Sequence, residues 1–184
     1  HLLKNGMRND SGKVLVTGAT GGVGSMAVRL LDHLGYEVIA ASRKSRDEYL
    51  QAIGATEILD SDKLKDDNKK PLLSARWAHA IDTVGGDILS TVIRSTAPHG
   101  NVASCGLANS AELPLTVFPF IIRGVNLLGV NSAETPYQLR KAIWENLASV
   151  WRMDVPDMMV KEIPLKDVDD YISKILKGKI TGRV

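Results

Sequence analysis

The feature that most constrains the fold is a glycine-rich turn, Val16-Thr17-Gly18-Ala19-Thr20-Gly21-Gly22-Val23-Gly24, set between two different hydrophobic periodicities. Before it, Lys13–Thr17 is a short apolar, β-branched run of the kind that forms a strand buried on both faces. After it, Val23, Met26, Ala27, Leu30, Leu31 and Leu34 recur at i, i+3, i+4, i+7, i+8 and i+11, one face of a helix that Gly35 stops. Glu37–Ser42 then reads as a second strand. Together these segments make a strand–helix–strand unit of about thirty residues, the size of a parallel crossover. Glycines at such a turn let the backbone reverse tightly and approach a pyrophosphate. The free N–H groups of the following helix then favour the anion. A ligand-free tight turn is the alternative, and the placement between strand and amphipathic helix argues against it.

The alternation continues along the chain. A helix is expected over Asp47–Ile53 and a short third strand over Glu57–Leu59. Asp60–Lys70, whose single hydrophobic residue is Leu64, reads as a solvated loop or helix end rather than a binding tail. His79–Val84 is predicted as a fourth strand, Ile88–Ala97 as a helix, Asn101–Gly106 as a fifth strand and Val125–Val130 as a sixth. A loop containing Pro114 and Pro119 separates the last two strands. Pro136 stands where a helix can start, with Leu139, Ile143, Leu147 and Val150 as its buried face. Residues Glu162–Lys179 should hold a short strand and an amphipathic helix. There is no internal repeat. This pattern predicts one α/β domain: a doubly wound, parallel six-stranded sheet of order 3-2-1-4-5-6, with helices on both faces.

Composition narrows the function classes. The 184 residues suffice for one full core, burying roughly 70% of the unfolded chain's surface. With 23 Lys and Arg against 21 Asp and Glu, the net charge of +2 gives no field for nucleic acid or an anionic membrane. No apolar run approaches the roughly 20 residues of a membrane span. The opening residues lack the apolar core and cleavage site of a signal peptide. The one cysteine, Cys105, excludes an internal disulfide and fits a reducing compartment, so a cytoplasmic location is expected. Cys105 itself reads as a small core residue at a strand's end, and Asp82 as either an electrostatic partner of a cofactor or a turn contact. The four histidines show no metal-ligand spacing.

Nucleotide preference is legible at the end of the second strand. An NAD site usually places Asp or Glu there, about twenty residues beyond the glycines, against the ribose hydroxyls. Here the residues are Ser42, Arg43 and Lys44, with Arg46 following. A hydroxyl and two cations would bind a 2′-phosphate that a carboxylate would repel, so the expected cofactor is NADP(H).

The glycine turn fits two family fingerprints. As T-G-x-x-x-G-x-G, through Thr17, Gly18, Gly22 and Gly24, it resembles the short-chain dehydrogenases, and Tyr137 with Lys141 supplies a Y-x-x-x-K pair. That pair, however, follows the sixth strand. In short-chain enzymes it lies in the helix after the fourth, and an N-A-G triplet ends that strand. The fourth strand here runs instead into Asp82-Thr83-Val84-Gly85-Gly86. As A-x-G-x-x-G, through Ala19, Gly21 and Gly24, the turn resembles the medium-chain dehydrogenase/reductase superfamily. The rest of the chain agrees, through "EYLQAIGATEILD", "AIDTVGGDILSTVI", "GNVASCGLA" and "LPLTVFPFIIRGVNLLGVNS". These stretches look like the zinc-free quinone-oxidoreductase-like group and its NADPH-dependent acryloyl-CoA reductase branch.

The resemblance implies a Rossmann-type fold and a set of cofactor contacts. Thr20, Gly21, Gly22 and Val23 would cradle the pyrophosphate, and Ser42, Arg43 and Lys44 would hold the 2′-phosphate. Leu107 and Ile121 would either line the nicotinamide side or be core residues. Ser132 would either contact the nicotinamide end or cap the next helix. The substrate would be an enoyl-CoA or a quinone, and the edge made by the sixth strand would pair with a second copy as a homodimer. The family's GroES-like substrate domain and returning C-terminal strand would lie outside these residues. No catalytic residue is therefore assigned, and the chain alone is expected to bind NADPH at most weakly and to turn over little. A non-catalytic NADP(H) sensor and an interaction module are the alternatives from other classes.

Overall fold

A computed structural model describes every residue except Lys44, Ser45, Asp67 and Lys69. Among the described residues the six strands are β1 (Val14–Thr17), β2 (Val38–Ser42), β3 (Glu57–Asp60), β4 (His79–Asp82), β5 (Asn101–Ser104) and β6 (Asn126–Gly129). All pair in parallel in the order β3-β2-β1-β4-β5-β6, as the sequence predicted. The helices are α1 (Gly22–His33), α2 (Asp47–Ala52), α3 (Gly86–Arg94), α4 (Phe118–Arg123), α5 (Tyr137–Ala148) and α6 (Val168–Leu176).

The two-residue period of the strands divides the core between the sheet's faces. Val14 and Val16 of β1, with Val38 and Ala40 of β2, pack with Val28 and Leu31 of α1 and Leu50 of α2. Leu15, Ile39 and Ala41, one residue out of phase, pack with Ile88, Leu89, Val92 and Ile93 of α3. Both faces are thereby covered, which is why β1 is buried at every position. On the second face Trp77 donates from Nε1 to the Val92 carbonyl and to Thr96 Oγ1, each at 3.1 Å.

Several sequence expectations need correction. The polar Asp60–Lys70 stretch contains a 3₁₀ turn, Ser61–Leu64, in which Ser61 and Leu64 are buried. The carbonyls of Asp66, Asn68 and Lys70 accept from the buried Arg94 guanidinium, so this stretch is tied to α3 rather than freely solvated. The proline-containing loop holds α4: Pro119 sits in its first turn, where a missing N–H costs nothing, and Gly124 ends it at φ 60°. The expected strand after Glu162 is absent. A single parallel bridge, Val160 to Arg183, precedes it. Finally, no residue of α5 is buried: Leu139 and Leu147 are half-covered, while Ile143 and Val150 are exposed. Apolar spacing marks a face, but it does not supply the surface that covers it.

This division between a packed and an unpacked side is testable. Ile93→Ala, at a fully buried site, should lower unfolding free energy by about 2–5 kcal/mol in urea titration. Trp144→Ala on α5, 66% exposed, should stay within about 0.5 kcal/mol of wild type. Equal losses would contradict the burial pattern.

Candidate functional site

The sheet's order reverses between β1 and β4, and a crevice opens there at the strands' carboxyl ends. Its walls are joined by one polar network. Thr17 at the end of β1 donates from Oγ1 to Asp82 Oδ1 at 2.7 Å and accepts from the Thr83 N–H at 3.0 Å. Thr83 Oγ1 donates back to the Thr17 carbonyl at 2.9 Å, and the Gly85 N–H donates to Asp82 Oδ2 at 2.9 Å. Asp82 is wholly buried, and burial pushes its carboxyl above the usual aspartate range despite these donors. Of the two sequence readings of Asp82, the structure shows the turn contact.

The glycine turn is built onto this network at close quarters. Gly18 has φ 61°, and a Cβ there would meet Thr83 Oγ1 at 2.3 Å. A Cβ on Gly24 would lie 2.3 Å from the Gly18 carbonyl oxygen, so α1 can start this close to the turn only with glycine. Gly21 flanks the helix start, and by helix geometry the N–H groups of the first turn have no intrahelical acceptor. The chain's end closes over the turn's outer side. The Gly182 N–H donates to the Thr20 carbonyl at 2.9 Å, while the Arg183 and Lys161 N–H groups donate to the carbonyls of Met159 and Arg183.

Beside this turn lies a cleft of about 450 Å³. It brings together Gly18, Thr20, Gly21, Ser42 and Arg43, from the β1 and β2 ends. The Thr20 and Ser42 hydroxyls lie 3.1 Å apart, which links the two ends directly. Of the remaining sequence-assigned residues, Lys44 lies outside the described residues. Gly22, Val23, Leu107, Ile121 and Ser132 do not line the cleft. Leu107 and Ile121 are 67% and 73% exposed, so their alternative reading as core residues is excluded. Ser132 does not cap α5, whose N-cap position is Pro136.

Sequence reasoning missed Ser61, Lys65, Thr83, Val84, Ala108 and Asn109, which complete the cleft. Each follows β3, β4 or β5, so the rule that ligands bind beyond the carboxyl ends of the strands would have found them. Lys177 and Gly178, which also reach the cleft, carry no local signal. Cys105 is exposed rather than core, and partial desolvation of its thiol, followed by the charge of Asp82, pushes its pKa up, away from a reactive thiolate. Tyr137 is the first residue of α5, 73% exposed, and lines no part of the cleft.

Fold and cleft define a doubly wound domain of the dinucleotide-binding type. Comparison with known proteins specifies it further. The sequence model for the family described as zinc-binding dehydrogenase matches residues 22–149. Acrylyl-CoA reductase AcuI of Ruegeria pomeroyi is 44% identical over 184 residues, covering 100% of this chain and 56% of that protein. YhdH of Escherichia coli K-12, solved with NADPH bound, superposes with a TM-score of 0.91 at 41% identity, covering 98% of this chain and 56% of that one. YhfP of Bacillus subtilis, whose name refers to quinone oxidoreduction, was solved with NAD bound. It superposes with a TM-score of 0.91 at 39% identity, covering 100% and 56% of the two chains. The chain belongs to the zinc-binding dehydrogenase family, and it spans about half the length of the curated relatives it matches. Among the described residues no group of three His, Cys, Asp or Glu side chains is placed to hold a metal ion, so they do not fit the zinc of the family's name. Among the same residues no helix is long and apolar enough to cross a membrane.

The Asp82 network makes a signed prediction. Asp82→Asn sets an amide NH₂ against N–H or O–H donors that now face a carboxylate oxygen and should cost about 1–3 kcal/mol of stability. Because the folded-state pKa is raised, the fold favours protonated Asp82. That contribution is complete below the ordinary value of 3.8 and is lost as pH rises through the raised one. The variant's deficit in urea titrations should therefore narrow as pH rises across that window. A deficit that widens would show that the fold favours the ionised carboxylate.

Proposed function

We propose that this chain is the NADP(H)-holding part of a reductase that delivers hydride to an activated alkene, with an acryloyl-CoA-type enoyl thioester as the acceptor. The observation that carries the reading is the charge at the end of β2. Ser42 and Arg43 face the cleft, and no carboxylate stands where an NAD site usually has one. The name of the Ruegeria relative and the NADPH in the Escherichia structure support it. The name of the Bacillus relative favours a quinone as the second acceptor class.

The chain's own residues would bind and orient. The glycine turn and first turn of α1, through Thr20, Gly21, Gly22 and Val23, would take the pyrophosphate, with the N–H groups that open the helix facing the anion. Ser42, Arg43 and Lys44 would take the 2′-phosphate. Leu107, Ile121 and Ser132, beyond the ends of β5 and β6, would flank the nicotinamide. When bound, NADPH would supply a hydride for the β-carbon of the acceptor and become NADP⁺, with a proton added at the α-carbon to complete the reduction. Thr17, Asp82 and Thr83 would keep the crevice at the width the cofactor needs, which is orientation rather than acid–base work. The open sheet edge at β6, where Leu127 and Leu128 are half-buried between an exposed Asn126 and Gly129, supports a homodimer formed strand to strand, and the single cysteine supports a cytoplasmic setting.

Parallel titrations of NADPH and NADH should give tighter binding of NADPH. Arg43→Ala should weaken NADPH roughly tenfold, the effect of about 1.4 kcal/mol, with NADH unchanged. Equal affinities in wild type would refute the cofactor assignment. In a protein of the relatives' length, NADPH oxidation should be faster with acryloyl-CoA than with quinones. Oxidation with neither would leave a cofactor-sensing role. Light scattering should give twice the chain mass, and a monodisperse monomer would refute pairing through β6.

A further inference from the structure

We infer that Lys65, delivered from the neighbouring strand, is a second cation for the cofactor's 2′-phosphate and sets the preference for NADPH together with Arg43. This rests on the NADP(H) reading above and adds to it a residue outside the loop that follows β2.

The register places Lys65. β3 runs parallel to β2 with Asp60 opposite Ser42, so the chain leaving β3 emerges beside the chain leaving β2. Asp60 caps the next turn by accepting from the Asp62 N–H at 2.9 Å, and the buried Ser61 and Leu64 pin that turn to the body of the domain. The first residue beyond the turn is Lys65, which lines the same cleft as Ser42, Arg43 and Ser61. Its position is therefore set by buried neighbours, although the side chain itself is half exposed.

The charges around it point to an anion. Lys65 Nζ donates to Asp62 Oδ1 at 2.7 Å. The Asp62 carboxyl is held below the usual aspartate range first by this hydrogen bond and the Lys65 charge, and in smaller part by Arg43. One carboxylate thus lies in the field of two cations that share a cleft. The pair is largely exposed, with side chains 50% and 60% accessible, and an ion pair so solvated adds little to folding. Its location is better explained by what the cleft receives. A phosphomonoester offers three acceptor oxygens and close to two negative charges, more than a single guanidinium satisfies. Arg43 can approach in a planar fork, and the Lys65 ammonium supplies a point charge on a flexible stem that can leave Asp62 for the phosphate. Asp62 holds the ammonium at the cleft wall until then.

The test uses this chain with Lys65→Met, which keeps the aliphatic stem, and Lys65→Arg, which keeps the charge. Four ligands are titrated: NADPH, NADH, 2′,5′-ADP and 5′-AMP. Lys65→Met should weaken NADPH and 2′,5′-ADP at least fivefold and leave NADH and 5′-AMP within twofold. Lys65→Arg should restore most of the loss. The ³¹P resonance of bound 2′,5′-ADP should titrate at higher pH in Lys65→Met, because one cation fewer faces the 2′-phosphate. A wild-type chain that prefers NADPH, with a Lys65→Met variant that keeps that preference undiminished, would overturn the role of Lys65 alone. Equal weakening of all four ligands would overturn it too, by showing a structural effect. A wild-type chain that does not distinguish NADPH from NADH would overturn this inference together with the cofactor reading.

Discussion

The contact between Thr17 and Asp82 holds the rest of the site in place. It joins the ends of β1 and β4 where the sheet's order reverses. Asp82 accepts from the Thr17 hydroxyl and the Gly85 N–H, with the Val84 backbone and Ser104 side chain also hydrogen-bonding to it, so the turn that starts α3 and the turn that starts α1 share one buried anchor. Thr83 closes the ring against the Thr17 backbone, directly below Gly18, where no side chain fits. A buried carboxyl is costly unless its oxygens are satisfied. Here donors that also fix the width of a crevice offset part of that cost, and the remainder raises the carboxyl's pKa.

From this anchor the cleft is built by short steps in the chain. Most of its wall comes from residues at or shortly after the carboxyl ends of parallel strands, so strand register brings Gly18, Ser42, Ser61 and Thr83 together. Electrostatics then divides the cleft. The glycine turn offers helix N–H groups, and the ends of β2 and β3 offer Arg43 and Lys65. A dinucleotide with one pyrophosphate and one additional phosphate matches that division, and one without the additional phosphate would leave the cations on Asp62 and solvent. The tail that crosses Thr20 shows that the turn is also held from outside, through Gly182 and Arg183.

Much of this was legible because the signals are local. The glycine spacing, the β-branched β1 and the 3.6-residue period of α1 lie within about twenty consecutive positions of the sequence, and the strand order followed from right-handed crossovers. The basic ending of β2 was legible because one residue type is missing where a rule expects it. What was not legible depended on distance in sequence. Lys65 looked like part of a solvated loop until register set Asp60 beside Ser42. The helix at Phe118–Arg123 was hidden by Pro119, which forbids a helix interior but suits a helix start. Leu139, Ile143, Leu147 and Val150 have the spacing of a buried face with nothing deep against them. Cys105 was read as core from its strand, yet it lies one residue past the last strand pairing and is exposed.

The claim on which the others rest is that the dinucleotide lies across the carboxyl ends of β1, β2 and β4. Amide chemical-shift mapping by NMR during an NADPH titration tests it most directly. The account requires the largest shifts at Gly18, Gly21, Ser42, Arg43 and Thr83, with small changes at the apolar groove formed by Leu2, Met7, Leu31 and Trp151 on another part of the surface. Shifts concentrated in that groove, with the glycine turn unmoved, would contradict it.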